Sequence, residues 1–313
     1  MHIIIDRRRR GIACVHPFRT GAGHGDGHGE EMTGIDWKHV RSPCRNAEFP
    51  LLGVVCRLGL ATRGNTHLDA EDVVESIDRG VTYLNWCGHV DGMSAAVRSL
   101  GARRREVSVA IQLSSRSARE ARKELSRAQA ELGTETIDVV TYYYVEHEDE
   151  WEEISAPGGA AEALEQAKAN GIIRSIGVTS HQRSLCARMA ESGRLDMVMS
   201  RYNAAHCGAE ADVFPITQRL KLPVVAFTGL RWRALLKSTP EDPSDFQSPP
   251  APEWYRFVLS HPAVTVGLMA PNGRAELEEN LTILDDWRGI AEDVYRELRA
   301  HGERVRRHAG RFP

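Results

Sequence analysis

From residue 51 onward, short apolar runs alternate with longer amphipathic stretches. The apolar runs fall at 58–62, 82–86, 107–113, 137–143, 173–179, 197–200, 224–227 and 264–268. They are rich in Val and Ile and lack strict alternation, the pattern of strands buried on both faces of a parallel sheet. Helical periodicity fills the gaps. Asp69 is placed to cap a helix over 70–79 that Gly80 stops. Further helices are expected over 117–132, 159–170, 181–191, 209–219 and 274–285. Eight strand–helix alternations predict an α/β fold, a closed (β/α)8 TIM barrel. An open doubly wound sheet has the same count. It loses its main support because no Gly-x-Gly-x-x-Gly follows an early strand.

The remaining segments break this rhythm. Residues 238–252 are rich in Pro, Ser and Asp and read as a long surface loop. Residues 287–307 read as an extra Arg-rich helix whose basic face is expected to be solvated. At the start, an apolar stub (Ile3 to Ile5) precedes Arg7 to Arg10, the reverse of a signal peptide's order. A glycine-rich stretch follows, in which His24, Asp26, His28 and Glu30 have metal-binding chemistry. So much glycine makes ordering entropically costly, which favours a loose tail or an upstream extension with the start at Met32. The expected division is a partly disordered extension, 1–47, and a barrel with a C-terminal helix, 48–313.

Composition narrows the class. A 313-residue chain that is 42% hydrophobic can fill one large core. A net charge of −3 gives no general basic field for nucleic acid, and no apolar run approaches the ~20 residues that span a bilayer. Six scattered cysteines without a C-x-x-C pair suit a reducing cytoplasm. A small-molecule substrate is the expected partner, and the oligomeric state stays open.

Several stretches, taken in order, resemble the aldo/keto reductase family. Gly80-Val-Thr-Tyr-Leu-Asn-Trp-Cys-Gly-His-Val-Asp-Gly92 is similar to that family's G-x-x-x-x-D-T-A-x-x-Y-G stretch. The strand ending at Gln112 resembles the one that ends in the family's Lys, and 132–143 resembles L-G-x-D-Y-I-D-L-Y-L-L-H. Residues 167–180, Arg201-Tyr-Asn203, 222–230 and 264–284 resemble later family strands and the terminal L-x-E-N element. The resemblance implies a barrel binding NADPH at the C-terminal ends of its strands. Phe227 would stack on the nicotinamide, with Thr179 and Ser180 at its carboxamide and Met199 where a Gln is usual. Thr228 and Leu230 would line the pyrophosphate path. Asn272, Arg274, Glu279 and Asn280 would hold the adenine end, Arg274 pairing with a 2′-phosphate.

The four catalytic positions depart from the family's Asp, Tyr, Lys and His. They hold Asn85, Asp91 (one residue displaced), Gln112 and Tyr143. Losing both charges of a Lys–Asp pair is coherent, since a neutral Asn–Gln pair avoids the burial penalty of a lone charge. Tyr143 is then a candidate proton donor, His89 and Asp91 a candidate acid–base pair, and Cys87 a candidate nucleophile. Each also has a plain role, in packing or on a solvated loop. Glu146 to Glu150 has metal-ligand chemistry but reads better as a solvated acidic loop, and no metal is expected. Arg231, Trp232 and Arg233 follow the seventh strand, where they can close over a phosphate or pack the loop. Three functions compete: an NADP(H)-dependent oxidoreductase with an altered proton-donor set, a catalytically silent nucleotide-binding barrel, and a non-redox barrel enzyme using Tyr143, His89 and Asp91.

Overall fold

The computed structural model describes residues 44–62, 67–308 and 310. The glycine- and histidine-rich start, with its candidate metal ligands, lies outside them.

Among the described residues, eight parallel strands close into a barrel. In chain order they are β3 (Leu58–Ala61), β4 (Tyr83–Asn85), β5 (Ser108–Leu113), β6 (Ile137–Tyr142), β7 (Ile173–Ser180), β8 (Met197–Arg201), β9 (Val224–Phe227) and β10 (Val264–Met269). Each pairs with the next, and β10 pairs with β3 to close the ring. The expected closed barrel is the one observed, and every predicted strand is present.

A hairpin that the hydrophobic pattern did not announce precedes the ring. It consists of β1 (Asn46–Phe49) and β2 (Gly53–Cys56), so it begins inside the expected extension. Phe49, fully buried, stacks on Tyr83 inside the barrel with ring centroids 5.9 Å apart. The hairpin therefore plugs the barrel end opposite the strand C-termini. Above the plug, Ala110, Val139, Met197, Met199, Val225, Phe227 and Val266 fill the barrel interior.

The helices are α1 (Ala70–Asp78), α2 (Gly92–Ser99), α3 (Ala118–Leu132), α4 (Glu148–Ser155), α5 (Ala160–Ala169), α6 (Arg183–Glu191), α7 (Ala209–Asp212), α8 (Phe214–Leu220), α9 (Ala251–Ser260), α10 (Arg274–Asp285) and α11 (Glu292–His308). Their apolar stripes pack against the outer face of the ring in a second, larger core. Helix α3 shows the local logic. Ser117 accepts a hydrogen bond from the N–H of Glu120 at its start, and Gly133 ends it at φ 61°, a conformation costly for any residue with a Cβ.

Two expectations are corrected. The single helix expected over 209–219 is split into α7 and α8 at Val213, where Pro215 enters the first turn of α8. The basic face of α11 is not simply solvated. Arg299 pairs with the buried Glu210 at 2.8 Å, and Arg304 with Asp242, whose side chain is fully buried, at 2.7 Å. Helix α11 is thereby fastened to α7 and to the loop before α9. No helix among the described residues is long and apolar enough to cross a membrane.

Candidate active site

A cavity of about 630 Å³ opens at the C-terminal ends of the strands, where barrels of this kind place their chemistry. Its floor is polar. The parallel register sets Asn85 beside Ala110, and Gln112, two residues further along β5, points to the same interior face. Gln112 donates its side-chain N–H to Oδ1 of Asn85 at 2.9 Å. Asn85 is 3% exposed, so an unpaired charge at this depth would be costly. Sulfur flanks the pair on both sides. Asn85 Nδ2 lies 3.7 Å from Cys87 Sγ, and Gln112 Nε2 lies 3.9 Å from Met199 Sδ.

Tyr143 follows β6 and lines the cavity, with its N–H bonded to the carbonyl of Leu113. Its ring lies 4.1 Å from that of Tyr144, which takes the left-handed conformation at φ 42°. Partial burial raises the Tyr143 pKa, and a hydrogen bond from Tyr144 counteracts that rise. Burial raises the Tyr144 pKa further, helped by the neighbouring Tyr143 oxygen. Tyr143 is thus the more acidic of the two. Beyond Tyr144, the His181 ring stacks at 4.4 Å, and His181 Nδ1 lies 3.3 Å from Glu146 Oε1. Burial lowers the His181 pKa against the pull of Glu146.

One wall comes from β9, β10 and their loops. Phe227 and Thr228 lead into a turn in which Arg231, Trp232 and Arg233 all have positive φ, of 47°, 48° and 68°. Consecutive non-glycine residues in this region are uncommon. The turn sets Leu230, Trp232 and Arg233 on the cavity, and Arg233 pairs with Glu276 of α10. The opposite part of the rim comes from Cys87, Gly88 and His89 after β4, Ser114 after β5, and Glu124 and Arg127 of α3.

Of the residues singled out from sequence, the cavity gathers Asn85, Cys87, His89, Gln112, Tyr143, Thr179, Met199, Phe227, Thr228, Leu230, Trp232, Arg233 and Asn272. It does not gather Asp91, Ser180, Arg274, Glu279 or Asn280. Asp91 caps α2, its carboxylate accepting from the Ser94 N–H at 2.9 Å, so it forms no pair with His89. Ser180 Oγ accepts from the N–H of Gln182 at 3.0 Å. Arg274 reaches Asp72 of α1 at 3.0 Å and Glu278 at 2.8 Å, so carboxylates occupy the guanidinium expected at a phosphate. Glu279 is exposed on α10. Asn280 is 1% exposed, and neither its Oδ1 nor its Nδ2 has a partner among the described residues. The acidic stretch after β6 forms the start of α4, with Glu150 bound to Arg116 at 2.9 Å, and no cluster of metal-ligating side chains occurs among the described residues.

Sequence reading missed Tyr144, Tyr255, Glu124, Arg127 and Glu276 as cavity residues. Tyr144 was visible within the Tyr142–Tyr144 run. Tyr255 sits on α9, a helix the pattern did not separate from the loop before it. Nothing local marks Arg127.

The closed barrel agrees with comparisons to known proteins. The model of the aldo/keto reductase family matches residues 70–296, most of the chain, and this protein belongs to that family. Among solved structures, an aldo-keto reductase from Klebsiella pneumoniae in complex with NADPH superposes with a TM-score of 0.69 at 17% identity. The match covers 82% of this chain and 95% of that one. An aldo-keto reductase from Bacillus halodurans in its holo form gives 0.64 at 16%, covering 80% and 92%. At such identities the likeness speaks to the fold. No curated protein matches the chain in sequence.

Proposed function

We propose that this chain is an NADP(H)-dependent oxidoreductase acting on a carbonyl or alcohol substrate, with a neutral set of groups where its family carries charges. The observation that carries this reading is the Gln112–Asn85 hydrogen bond at the cavity floor. It keeps two polar side chains organised at the position of the missing ion pair instead of replacing them with apolar packing.

The residues present fit a nicotinamide dinucleotide at several points. Phe227 and Thr179 line the cavity where a nicotinamide ring would stack and be oriented. Asn280, outside the cavity lining, offers a buried amide without a partner among the described residues, a costly state that a nucleotide base edge reaching past the wall would relieve. It lies on the same helix as Glu276 of the cavity wall. Arg233 lines the cavity and Arg274 does not, so Arg233 is the better candidate to meet a phosphate, which would share it with Glu276. Met199 fits less well, because a thioether cannot donate to a carboxamide. Free thiols, among them the buried Cys56 and Cys186, suit a cytoplasmic location.

When bound, the nucleotide supplies or accepts the hydride. The protein's part is the proton. Tyr143 lines the cavity, so its O–H can donate to a carbonyl oxygen held there. Among the described residues no cation lowers the pKa of its phenol, Arg116 reaching only its backbone carbonyl, so the donor is weak and the expected turnover slow.

A titration with NADPH, read by tryptophan fluorescence and calorimetry, tests the reading. Saturation in the micromolar range, about −8 kcal/mol, supports it. No binding at millimolar nucleotide contradicts it. A second reading, a barrel that binds nucleotide without turnover, is favoured by one contact: Gln112 spends an N–H on Met199 Sδ rather than on a charged partner. Nucleotide binding without oxidation of NADPH by any of a broad set of carbonyls would select it.

A further inference from the structure

We infer that the substrate carries an anionic group, a carboxylate above all, which Arg127 recognises. This rests on the oxidoreductase reading and adds the substrate class to it. The ring order β10-β3-β4-β5-β6-β7-β8-β9 divides the cavity rim into two sides. The β9–β10 side holds Thr228, Leu230, Arg233 and Asn272, and its cation is already matched by Glu276. The other side, built by the ends of β4 and β5 and by α3, is left for the part of a substrate that points away from the nucleotide.

Two charges from α3 face that side. Glu124 is taken up by the protein: its carboxylate accepts from Ser114 Oγ at 2.8 Å, from the Ser114 N–H at 2.9 Å and from the Ser115 N–H at 3.4 Å. Those bonds hold the loop after β5 in place and leave little carboxylate capacity for Arg127. Arg127 lies three residues further, on the same helix face. It is exposed, lines the cavity, and makes no hydrogen bond or ion pair within the described residues. A guanidinium has five donors in a planar fork that matches a carboxylate with two parallel bonds. Besides Glu124, which is engaged with Ser114, the polar groups Gln112, Ser114 and Tyr143 that line the cavity are neutral. An aromatic or apolar carbonyl compound with a carboxylate remote from the reacting carbon would place its ring near Tyr143 and its anion at Arg127.

The test compares para-carboxybenzaldehyde with para-methylbenzaldehyde on the NADPH-saturated protein and on its Arg127→Gln variant. The wild type is expected to favour the carboxylate in kcat/KM by about tenfold, mainly through KM, and to lose part of that preference as salt is raised. Arg127→Gln is expected to collapse the ratio towards one. Turnover of both aldehydes without a carboxylate preference, or a ratio unchanged in the variant, overturns the inference and leaves the oxidoreductase reading standing. If neither aldehyde turns over, calorimetry with para-carboxybenzyl alcohol against para-methylbenzyl alcohol separates the two claims. Carboxylate-selective binding lost in Arg127→Gln upholds the anion site although the redox reading fails; equal binding of both alcohols overturns it.

Discussion

Gln112 and Asn85 form a neutral hydrogen-bonded pair, 2.9 Å apart, at the floor of the barrel mouth. Because the two act together, changing one charge at a time is costly. Gln112→Lys alone places an ammonium in a site without a counter-charge, and Asn85→Asp alone places a carboxylate there at 3% exposure. Each is expected to destabilise the fold by about 3 kcal/mol, the scale of an uncompensated buried charge. The double variant is expected to recover more than half of the summed loss and to raise carbonyl turnover, since an ammonium then stands in the cavity that Tyr143 lines. Denaturant unfolding of the four proteins in a double-mutant cycle checks this. Simple additivity would show that the pair does not act as a unit.

Tyr143→Phe removes the proposed proton donor. Carbonyl reduction is expected to fall by about 10²- to 10⁴-fold in kcat, the usual contribution of a general acid, with NADPH binding retained. The donor must be protonated, and its pKa lies above that of a free phenol. The wild-type rate is therefore expected to stay flat through neutral pH and to fall only on the far alkaline side. Tyr144→Phe removes the hydrogen bond that favours the Tyr143 phenolate. It should move that alkaline limb higher while lowering the plateau. Loss of activity at neutral pH in the wild type would contradict this assignment.

Arg233 and Arg274 are expected to separate in nucleotide binding. Arg233→Ala should weaken NADPH by about tenfold, close to 1.4 kcal/mol for one lost charge-assisted contact. Arg274→Ala should leave NADPH affinity nearly unchanged, because its guanidinium is held by Asp72 and Glu278. A larger effect at Arg274 than at Arg233 in calorimetry would reverse the placement of the phosphate.

Helix α11 is fastened through Asp242. Burial of this carboxylate opposes its ionisation, but donors from Thr239, His301 and Arg304 outweigh burial and hold its pKa well below the ordinary range. A depressed carboxylate pKa contributes stability that is present above the unfolded value, about 3.9, and is lost as pH falls below it. Asp242→Asn is expected to cost about 3–5 kcal/mol near neutral pH, since it leaves Arg304 facing a neutral amide. It should also flatten the acid limb of stability. Thermal unfolding from pH 7 down to pH 3 for both proteins checks the pair of expectations, and parallel curves would contradict them.

The parts of this structure that sequence made legible are those set by local pattern. The Val- and Ile-rich strands, the Ser117 cap and the Gly133 stop each depend on neighbours a few residues away. The hairpin was hidden because Leu51-Leu52-Gly53-Val54-Val55 reads as one apolar run, yet it holds a turn with Leu51 at φ 69°. The fate of charged side chains was hidden for another reason. Arg274 pairs with Asp72, which lies on the first barrel helix, and Arg304 with Asp242, which lies in the loop before α9. Such pairs are set by the closure of the ring and leave no mark in local spacing. Motif register correctly brought Asn85, Gln112 and Tyr143 to one cavity. It failed for Asp91, whose carboxylate meets the nearer demand of capping α2.

The most direct measurement is rapid mixing of the NADPH-loaded protein with an aldehyde, following the absorbance of the reduced nicotinamide in the wild type and in Tyr143→Phe. The account predicts slow oxidation of one equivalent of NADPH per site by the wild type, and a further loss of about 10² or more in the variant. Bound NADPH that stays reduced in the wild type with every aldehyde tried, or equal rates in the two proteins, would contradict it.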